Sequence, residues 1–229
     1  MRALSATELL SVWELGCNQI PLQRALTMLT AGCPEASFDS LANLTIGQRD
    51  ARLLALRELM FGSELSGVTD CPDCGEKIEL RFDCSQILST TEAESPNEVV
   101  VQTNGRSMRF RLPTSADLLA VETPGQLLER CLLSSGNHLA EDLVPVVSDK
   151  MSSADPTAEI RLALNCPSCE NKWAAPFDIV AFLWREISAA ARRLLREVHE
   201  LASAYGWTET EILGLSAARR RIYLEMANG

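Results

Sequence analysis

Histidine is scarce in this sequence, which contains two: His138 in a polar stretch, SSGNHL, and His199 in a helical pattern. Catalytic zinc sites usually include histidine or carboxylate ligands and keep one position open, and histidine is the commonest general acid or base. The sequence also contains no H-E-x-x-H motif, no glycine-rich phosphate loop and no recognisable pairing of a nucleophile with a base. We therefore expect no catalytic residues, no small-molecule substrate and no enzymatic activity.

Long apolar runs are absent as well. No stretch reaches the roughly 18 apolar residues that a membrane-spanning helix needs. The first residues, MRALSATELLSVWE, carry an acidic residue within their apolar part and no clear cleavage site, which is typical of a helix rather than a secretion signal. The sequence therefore predicts no membrane partner and a chain that stays in the cytoplasm where it is made.

Positive charge is in short supply. Lysine and arginine together number 21 against 31 aspartate and glutamate residues, which gives a net charge of −10. Proteins that bind nucleic acid rely on clustered lysine and arginine, so a phosphate backbone is not the expected main partner. Residues 1–183 hold fourteen basic and twenty-five acidic side chains, whereas residues 184–229 hold seven and six. The acidity therefore belongs to the first three-quarters of the chain.

Disulfides are not expected among the eight cysteines. The chain shows no secretion signal, and 229 residues are enough to bury a hydrophobic core without disulfide bonds. Four cysteines fall in two C-x-x-C pairs. The other four are predicted to be small buried apolar residues or surface thiols: Cys17, Cys33, Cys84 and Cys131.

One cysteine-containing phrase occurs twice. CPDCGEKIELRFD begins at Cys71, and CPSCENKWAAPFD begins at Cys166. The two phrases share, in register, Cys71/Cys166, Pro72/Pro167, Cys74/Cys169, Lys77/Lys172, Phe82/Phe177 and Asp83/Asp178. Agreement at proline, phenylalanine and aspartate, as well as at the cysteines, indicates one structural element made twice.

The two C-x-x-C pairs predict one metal site. Zn²⁺ prefers four soft ligands in a tetrahedron, about 2.3 Å from each sulfur. Two tight turns that face each other would supply those ligands, as in a zinc ribbon: Cys71, Cys74, Cys166 and Cys169. Because four thiolates leave no open position, we expect one structural Zn²⁺ ion.

Two other interpretations of the pairs remain open: two redox-active C-x-x-C sites, or a site that has lost its metal. A thioredoxin-like redox site requires a helix directly after its C-x-x-C motif. Strand-like segments, EKIELRF and NKWAAPF, follow the pairs instead, which favours the zinc ribbon.

The residues that directly follow each C-x-x-C pair affect which backbone conformation the turn can adopt. Left-handed backbone angles are often needed there, and Gly75 adopts them at little cost. The second copy has Glu170-Asn171 in this place, and Asn171 tolerates such angles better than most residues.

The whole sequence predicts an α+β fold: a small antiparallel sheet built around the zinc ribbon, with helical N-terminal and C-terminal regions and an inserted hairpin-plus-helices segment. The predicted regions are N-terminal helices (1–66), first zinc knuckle and linker (67–97), insert (98–156), strand and second zinc knuckle (157–183) and C-terminal helices (184–229). In the first region, helices are predicted to end at Gly16, begin at Pro21 and end at Gly62. The last of these helices is predicted to bury Leu53, Leu56, Leu59 and Met60.

In the insert, EVVVQT-NG-RSMRFRL is typical of a β-hairpin, because Asn104-Gly105 suits a type I′ turn. Its alternation places on one face Val99, Val101, Met108, Phe110 and Leu112. A small basic strip, predicted to be exposed, consists of Arg106, Arg109 and Arg111. Ser115 and Thr123-Pro124 are predicted helix starts, and DLVPVVSDKMSSADPT is interpreted as mixed structure that ends in a turn.

The C-terminal region is predicted to be helical from Ile179 to Gly206. Thr208 and Glu211 form a capping box for a short helix, and Ser216 caps the last one. The run Arg219–Arg221 is most simply a solvated face, with binding of an acidic partner as the alternative. Large aromatic residues dominate interface energetics. The candidate partner-binding surface therefore comprises Trp207, Tyr223, Arg219, Arg220 and Arg221, whereas Trp184 is predicted to lie in the core.

Three stretches resemble one known family: LLSVWELG…QRALTML, LTIGQRDARLLALRELMFG, and FDIVAFLWREI…LLREVHELASAYGWTETEILGLSAARRRIYLEM. They are similar to baseplate or hub-assembly proteins of contractile-tailed phages of the T-even type, whose relatives occur in prophages and contractile injection systems. The resemblance covers nearly the whole chain, and the YGW…EIL.LS..RR..YL ending is its most specific part. The absence of glycine after Cys169 is one departure from the pattern.

The resemblance implies a non-enzymatic role in assembling the baseplate hub, either as a chaperone or as a minor component. Hub or spike proteins would be the partners, and the cytoplasm of the bacterial or phage-host cell would be the place of action, with incorporation into the particle as a further option. The alternative is a zinc-ribbon nucleic-acid-binding factor. The knuckles contain few basic residues to support it: Lys77, Arg81 and Lys172.

Overall fold

Helices form both ends of the chain, and short hairpins lie between them. The computed structural model describes residues 1–88, 98–103, 106–134 and 141–227. Within these ranges the helices are α1 (Ala6–Gly16), α2 (Pro21–Gly32), α3 (Phe38–Ala42), α4 (Ile46–Phe61), α5 (Cys84–Leu88), α6 (Ser115–Leu119), α7 (Pro124–Cys131), α8 (Val144–Ala154), α9 (Ile179–Tyr205), α10 (Glu209–Leu213) and α11 (Ala217–Ala227). The strands are β1 (Glu64–Asp70), β2 (Lys77–Asp83), β3 (Glu98–Thr103), β4 (Arg106–Arg111), β5 (Arg161–Asn165) and β6 (Lys172–Pro176).

The predicted α+β class is confirmed, with antiparallel pairing throughout the described strands. β1 pairs with β2, β3 with β4, and β5 with β6, so the described strands form separate two-stranded sheets rather than one small sheet. The hairpins β1–β2 and β5–β6 each carry one C-x-x-C pair in their connecting turn.

Helix boundaries follow local signals in the sequence. Ser5 and Thr45 are the N-caps of α1 and α4 and form reciprocal capping boxes. Thr208 does the same for α10, as predicted. Gly62 and Gly206 end α4 and α9 with φ angles of 89° and 70°, which glycine adopts at little cost.

The main core forms where α1, α2 and α4 pack against α9. Its fully buried side chains include Leu26, Met28, Leu29, Leu53, Leu54, Leu183 and Ile187. Burying one such side chain stabilises a fold by about 1.5–3 kcal/mol. This packing therefore fixes α4 and α9, the helices that flank the two cysteine-bearing hairpins.

The buried face of α4 differs from the prediction. Leu56 is fully buried as expected, but Leu59 is 52% exposed and Leu54 lies in the core instead. Arg57 also belongs to the buried face and donates two hydrogen bonds to Glu186 of α9, at 2.9 and 2.7 Å. Arg57 and Leu59 lie about 200° apart around the helix, so a buried face that includes Arg57 leaves Leu59 exposed to solvent.

The insert contains a small apolar core of its own. All the side chains predicted to share one face of the hairpin are buried in it: Val99, Val101, Met108, Phe110 and Leu112. Leu128 and Cys131 of α7 also belong to this core. The predicted turn at Asn104-Gly105 lies outside the described residues.

Two of the three arginines in the basic strip of the insert form ion pairs with acidic residues of the same chain. Arg109 is exposed and pairs with Glu98 at 2.6 Å. Arg111 is half-buried and donates two hydrogen bonds to the buried carboxylate of Asp117, at 2.5 and 2.7 Å. The side chain of Arg106 is outside the described part of the structure.

DLVPVVSDKMSSADPT is mostly helical rather than mixed. It forms α8, which packs Val147 and Met151 into the core of the insert. Pro145 lies in the first turn of this helix, where a missing N–H is no loss, so the proline did not mark a helix break. The predicted start of α6 at Ser115 is confirmed, and Thr114 is the N-cap of this helix.

A buried carboxylate joins the end of the insert to the start of α4. Asp155 is 3% exposed, and its Oδ2 accepts a hydrogen bond from the backbone N–H of Gly47 at 2.9 Å. A Cβ at position 47 would lie 1.8 Å from Oδ1 of Asp155, so this approach requires glycine. The bond satisfies one of the free N–H groups in the first turn of α4 and fixes the chain shortly before β5.

Candidate metal centre

The two C-x-x-C turns have the same backbone hydrogen bonds. The N–H of Cys71 donates to the carbonyl of Glu76 at 2.8 Å, and the N–H of Gly75 donates to the carbonyl of Cys71 at 3.0 Å. In the second copy, the N–H groups of Cys166 and Glu170 make the matching bonds at 2.9 and 3.0 Å. The repeated phrase is therefore one structural element made twice, as the sequence predicted.

Glu170, rather than Asn171, takes the left-handed backbone in the second turn. Its φ is 60°, close to the 75° of Gly75 in the first turn. Each of these residues directly follows the second cysteine of its pair, so the position in the turn overrides the better tolerance of Asn171 for such angles. A left-handed residue with a Cβ costs roughly 1–2 kcal/mol, and the turn must offset that cost.

Four sulfur atoms meet between the two turns. The Sγ atoms of Cys71 and Cys169 lie 3.7 Å apart, those of Cys74 and Cys166 lie 3.6 Å apart, and all four lie within 4.8 Å of one another. Zinc–sulfur bonds of about 2.3 Å would place the sulfurs of a tetrahedron about 3.8 Å apart. A disulfide requires about 2.05 Å. The spacing fits four thiolates around one metal ion and does not fit disulfides.

The two copies are related by an approximate twofold symmetry. Each short sulfur contact joins the first cysteine of one turn to the second cysteine of the other, so exchanging the copies exchanges the two contacts. The equivalent residues Phe82 and Phe177 also touch each other, with ring centroids 5.4 Å apart and ring planes at 88°. This edge-to-face packing breaks the symmetry locally, and Phe182 of α9 packs against Phe177 at 5.5 Å.

Each copy ends in an aspartate that precedes a helix. Oδ1 of Asp178 accepts a hydrogen bond from the N–H of Ala181 at 3.1 Å and caps α9. Oδ1 of Asp83 accepts one from the N–H of Ser85 at 2.8 Å, just before α5. Together with the hydroxyl of Ser63, the largest cause, this bond lowers the pKa of Asp83 to about 2. Helix starts therefore explain the shared aspartate.

Burial and hydrogen bonding differ among the four thiols. Cys71 and Cys166 are buried, Cys169 is half-buried and Cys74 is exposed. The backbone N–H of Cys74 is the largest cause that lowers the pKa of Cys71 to about 6. The N–H of Asn171 also favours the thiolate of Cys169, but burial and the three neighbouring sulfurs raise the pKa of Cys169 to about 12. A divalent cation offsets such repulsion and deprotonates the thiols that coordinate it.

The remaining cysteines and the histidines lie apart from this cluster. Cys33, Cys84 and Cys131 are buried and Cys17 is exposed, as predicted. His138 falls outside the described residues, and His199 is exposed on α9. Within the described part of the chain, the four cysteines form the one group of metal-binding side chains close enough to share an ion.

The aromatic candidates for partner binding pack on one another. Trp207 lies between Tyr205 and Tyr223, with ring centroids at 4.7 and 4.8 Å. The hydroxyl of Tyr205 donates to the carbonyl of Tyr223 at 3.1 Å. Trp207 and Tyr223 are half-buried and help to fold α10 and α11 back onto α9. Trp184, predicted to lie in the core, is half-buried and packs under the guanidinium of Arg24 at 4.7 Å.

The three consecutive arginines do not form one solvated face. Arg220 is 7% exposed and donates to Glu197 at 3.0 Å and to the carbonyl of Leu215 at 2.7 Å. Arg219 and Arg221 are exposed. Successive residues of a helix point about 100° apart, so one of the three faces α9 while its neighbours face solvent. Arg220 is therefore a structural residue, which apolar periodicity alone did not indicate.

Comparison with known proteins identifies a family. A family model described as T4 bacteriophage base plate protein matches residues 7–143, which is more than half of the 229 residues. The matched range contains the first C-x-x-C pair and ends before the second. No curated protein and no solved structure matches the chain. Among the described helices, none combines the length and apolarity that crossing a bilayer demands. The chain belongs to the T4 bacteriophage base plate protein family.

Proposed function

We propose that this chain is a non-enzymatic assembly protein of the baseplate hub, acting as a chaperone or as a minor component, and that its four cysteines hold one structural Zn²⁺ ion. Family membership supports the baseplate setting. The observation that carries the metal assignment is the meeting of four sulfur atoms within 4.8 Å. The partners are hub or spike proteins, and assembly takes place in the cytoplasm of the bacterial host.

Zinc is the metal that this donor set favours. Soft thiolates select zinc, copper(I) or iron–sulfur clusters, and four thiolates at tetrahedral spacing are typical of structural zinc. The ligands would be Cys71, Cys74, Cys166 and Cys169. A site closed by four thiolates leaves no position for water or substrate, and such a site contributes folding free energy rather than reaction chemistry. The donor set therefore supports a function that depends on contacts with other proteins rather than on catalysis at the metal.

The position of the cysteines indicates what the ion stabilises. β1 begins directly after α4, and β6 ends directly before α9. The ion would therefore join two hairpins attached to helices that already contact each other through Arg57 and Glu186. Closing the long insert between the hairpins costs little more than closing a short loop, because loop entropy grows with the logarithm of length.

Elemental analysis of the purified, reduced full-length chain tests the metal assignment. We expect one zinc per chain, and four thiols that react with a thiol reagent after chelation but not before. Cys17→Ser is the matched control, because Cys17 is exposed and lies apart from the cluster, so this variant should retain the zinc. A chain from zinc-replete cells that contains no transition metal would contradict the assignment.

Co-purification from cells that assemble whole particles tests the assembly role. The tagged chain should capture hub or spike proteins, and its presence in mature particles would distinguish a minor component from a chaperone. Capture of no baseplate protein would overturn the role. A gel shift at low salt tests the alternative, since tight and salt-sensitive DNA binding would favour a nucleic-acid-binding zinc ribbon.

A further inference from the structure

A groove lies on the side of the molecule formed by the start of α1, the middle of α9 and the α10–α11 turn. It encloses about 900 Å³. Its apolar floor is formed by Leu9, Leu194, Leu213 and Leu224. Leu194 is buried beneath the surface, and the other three are half-buried. The groove thus offers accessible apolar surface between helices.

The walls of the groove are held in place by contacts within the chain. Arg220 forms part of the lining and is fixed to Glu197 of α9 and to the carbonyl of Leu215. Ile212 of α10 is fully buried against Leu201 of α9. These contacts hold α10 and α11 against α9, so a partner meets a preformed groove and loses little free energy in ordering it.

The charged residues of the lining are mostly positive. Arg193, Arg220 and Arg221 line the groove together with one acidic residue, Glu197. Because Arg220 and Glu197 pair with each other, the excess positive charge belongs to Arg193 and Arg221. Arg193 forms no ion pair with any described residue, and Arg221 makes one weak pair with Glu225 at 3.8 Å on the surface. We call these two exposed arginines, Arg193 and Arg221, the rim of the groove. Their positive charge contrasts with the net charge of −10 of the whole chain.

We infer that this groove binds an acidic amphipathic helix of a baseplate protein. Apolar side chains on one face of that helix would pack on Leu9, Leu213 and Leu224, and aspartate or glutamate beside them would pair with Arg193 and Arg221. An apolar groove between helices is the shape used in helix-in-groove recognition, and the arginine rim gives the sign of the partner's charge. The inference rests on the proposed assembly function and adds to it the chemistry of the partner.

Charge reversal at the rim tests the inference in the full-length chain. The variant Arg193→Glu/Arg221→Glu should lose on the order of tenfold in affinity for its baseplate partner, because two attractions become two repulsions. The matched control is Arg192→Glu/Arg196→Glu, which makes the same charge change at exposed positions of α9 that do not line the groove. This control should bind like the wild type, and the melting temperatures of all three proteins should differ little, because the changed side chains are exposed and the surface pair of Arg221 with Glu225 contributes little to stability.

Site-specific photo-cross-linking identifies the occupant. A benzophenone amino acid at Ala218, an exposed residue of the groove lining, should yield one cross-linked baseplate peptide with an acidic, helically spaced apolar pattern. The same probe at Ala174, on the exposed face of β6, should not yield that peptide. Cross-links from Ala218 to a second copy of this chain, to a basic segment or to nothing would overturn the inference.

The outcomes separate this inference from the proposed function. If the wild-type chain captures no baseplate protein, the assembly role itself fails. If it captures one and the rim variant captures the same amount, the assembly role stands and the groove assignment fails.

Discussion

Phe82 and Phe177 occupy the same place in the two copies of the repeated phrase, and their rings meet edge to face at 5.4 Å. The cysteines of the same hairpins meet at 3.6 and 3.7 Å. Cys71 and Cys166 lie in the turns before β2 and β6, whereas Phe82 lies near the end of β2 and Phe177 directly follows β6. The two hairpins therefore touch at both ends of their length. The sulfur cluster secures the turns, and the aromatic pair secures the ends near α5 and α9.

Loss of one cysteine ligand should lower stability strongly. In Cys71→Ser or Cys166→Ser we expect the zinc to be lost and the melting temperature to fall by more than about 10 °C, because metal binding is coupled to folding. Differential scanning calorimetry with parallel elemental analysis measures both effects. An unchanged melting temperature in either variant would count against a structural metal site. Cys17→Ser, with its exposed thiol, should behave like the wild type.

The second turn should become more stable when its left-handed residue is glycine. Glu170→Gly removes a strain of roughly 1–2 kcal/mol and adds about 0.5–1 kcal/mol of backbone entropy cost. We therefore expect a net gain of about 0.5–1 kcal/mol in the free energy of unfolding, measured by urea denaturation.

The reciprocal change is the control for this prediction. Gly75→Glu places a side chain at a φ of 75° in the first turn and should destabilise the protein by about 1–2 kcal/mol. Both variants should keep one zinc. If Glu170→Gly proved destabilising, the left-handed backbone at this position would be wrong.

The site was predictable from the sequence because its information is local. Cys71 and Cys166 begin phrases that match in register, and each phrase encodes a complete turn. Helix ends at Gly62 and Gly206 were predictable for the same reason, since caps act within a few residues. That the two turns face each other could be predicted only from the tetrahedral preference of zinc, because the sequence itself shows no contact between them.

The features that the sequence did not reveal depend on distant contacts. Leu59 belongs to the apolar pattern of α4 but is exposed, because the buried face of the helix includes Arg57 instead, which pairs with Glu186, far along the chain. Arg220 is buried for a similar reason, through its contact with Glu197. Periodicity ranks residues by polarity and therefore cannot identify a charged side chain that is buried with its partner.

Replacing Gly47 should disrupt the junction between α4 and the insert. Gly47→Ala would place a Cβ 1.8 Å from the buried carboxylate of Asp155, so we expect a loss of about 1–3 kcal/mol in the free energy of unfolding. Gly125→Ala is the matched control, since Gly125 also lies in the first turn of a helix but has open space around it. There alanine should be neutral or slightly stabilising. Equal effects of the two variants in urea denaturation would refute the junction.

The buried carboxylate of Asp117 should make the insert sensitive to acid. Hydrogen bonds from Arg111, the largest cause, hold the pKa of Asp117 below its usual value of 3.8. Thr114 adds bonds from its backbone N–H at 3.0 Å and its hydroxyl at 2.8 Å. A carboxyl whose pKa is lower in the folded than in the unfolded state stabilises the fold above the unfolded pKa, and this contribution is lost as pH falls toward the folded pKa.

Asp117→Asn tests this linkage. At pH 7 the variant should be less stable than the wild type by about 1–3 kcal/mol, because it breaks the ion pair between the buried carboxylate of Asp117 and the half-buried Arg111. Below pH 3.8 the difference should shrink, because the unfolded wild-type chain then takes up a proton at Asp117, whereas the folded chain, in which the pKa of Asp117 is lower, does not. Asp149→Asn, an exposed position on α8, serves as the control and should match the wild type at both pH values. Because all three proteins share the four cysteines, acid effects on the metal site cancel in the comparison. A stability difference that stayed constant from pH 7 to pH 3 would show that the charge of Asp117 does not stabilise the insert.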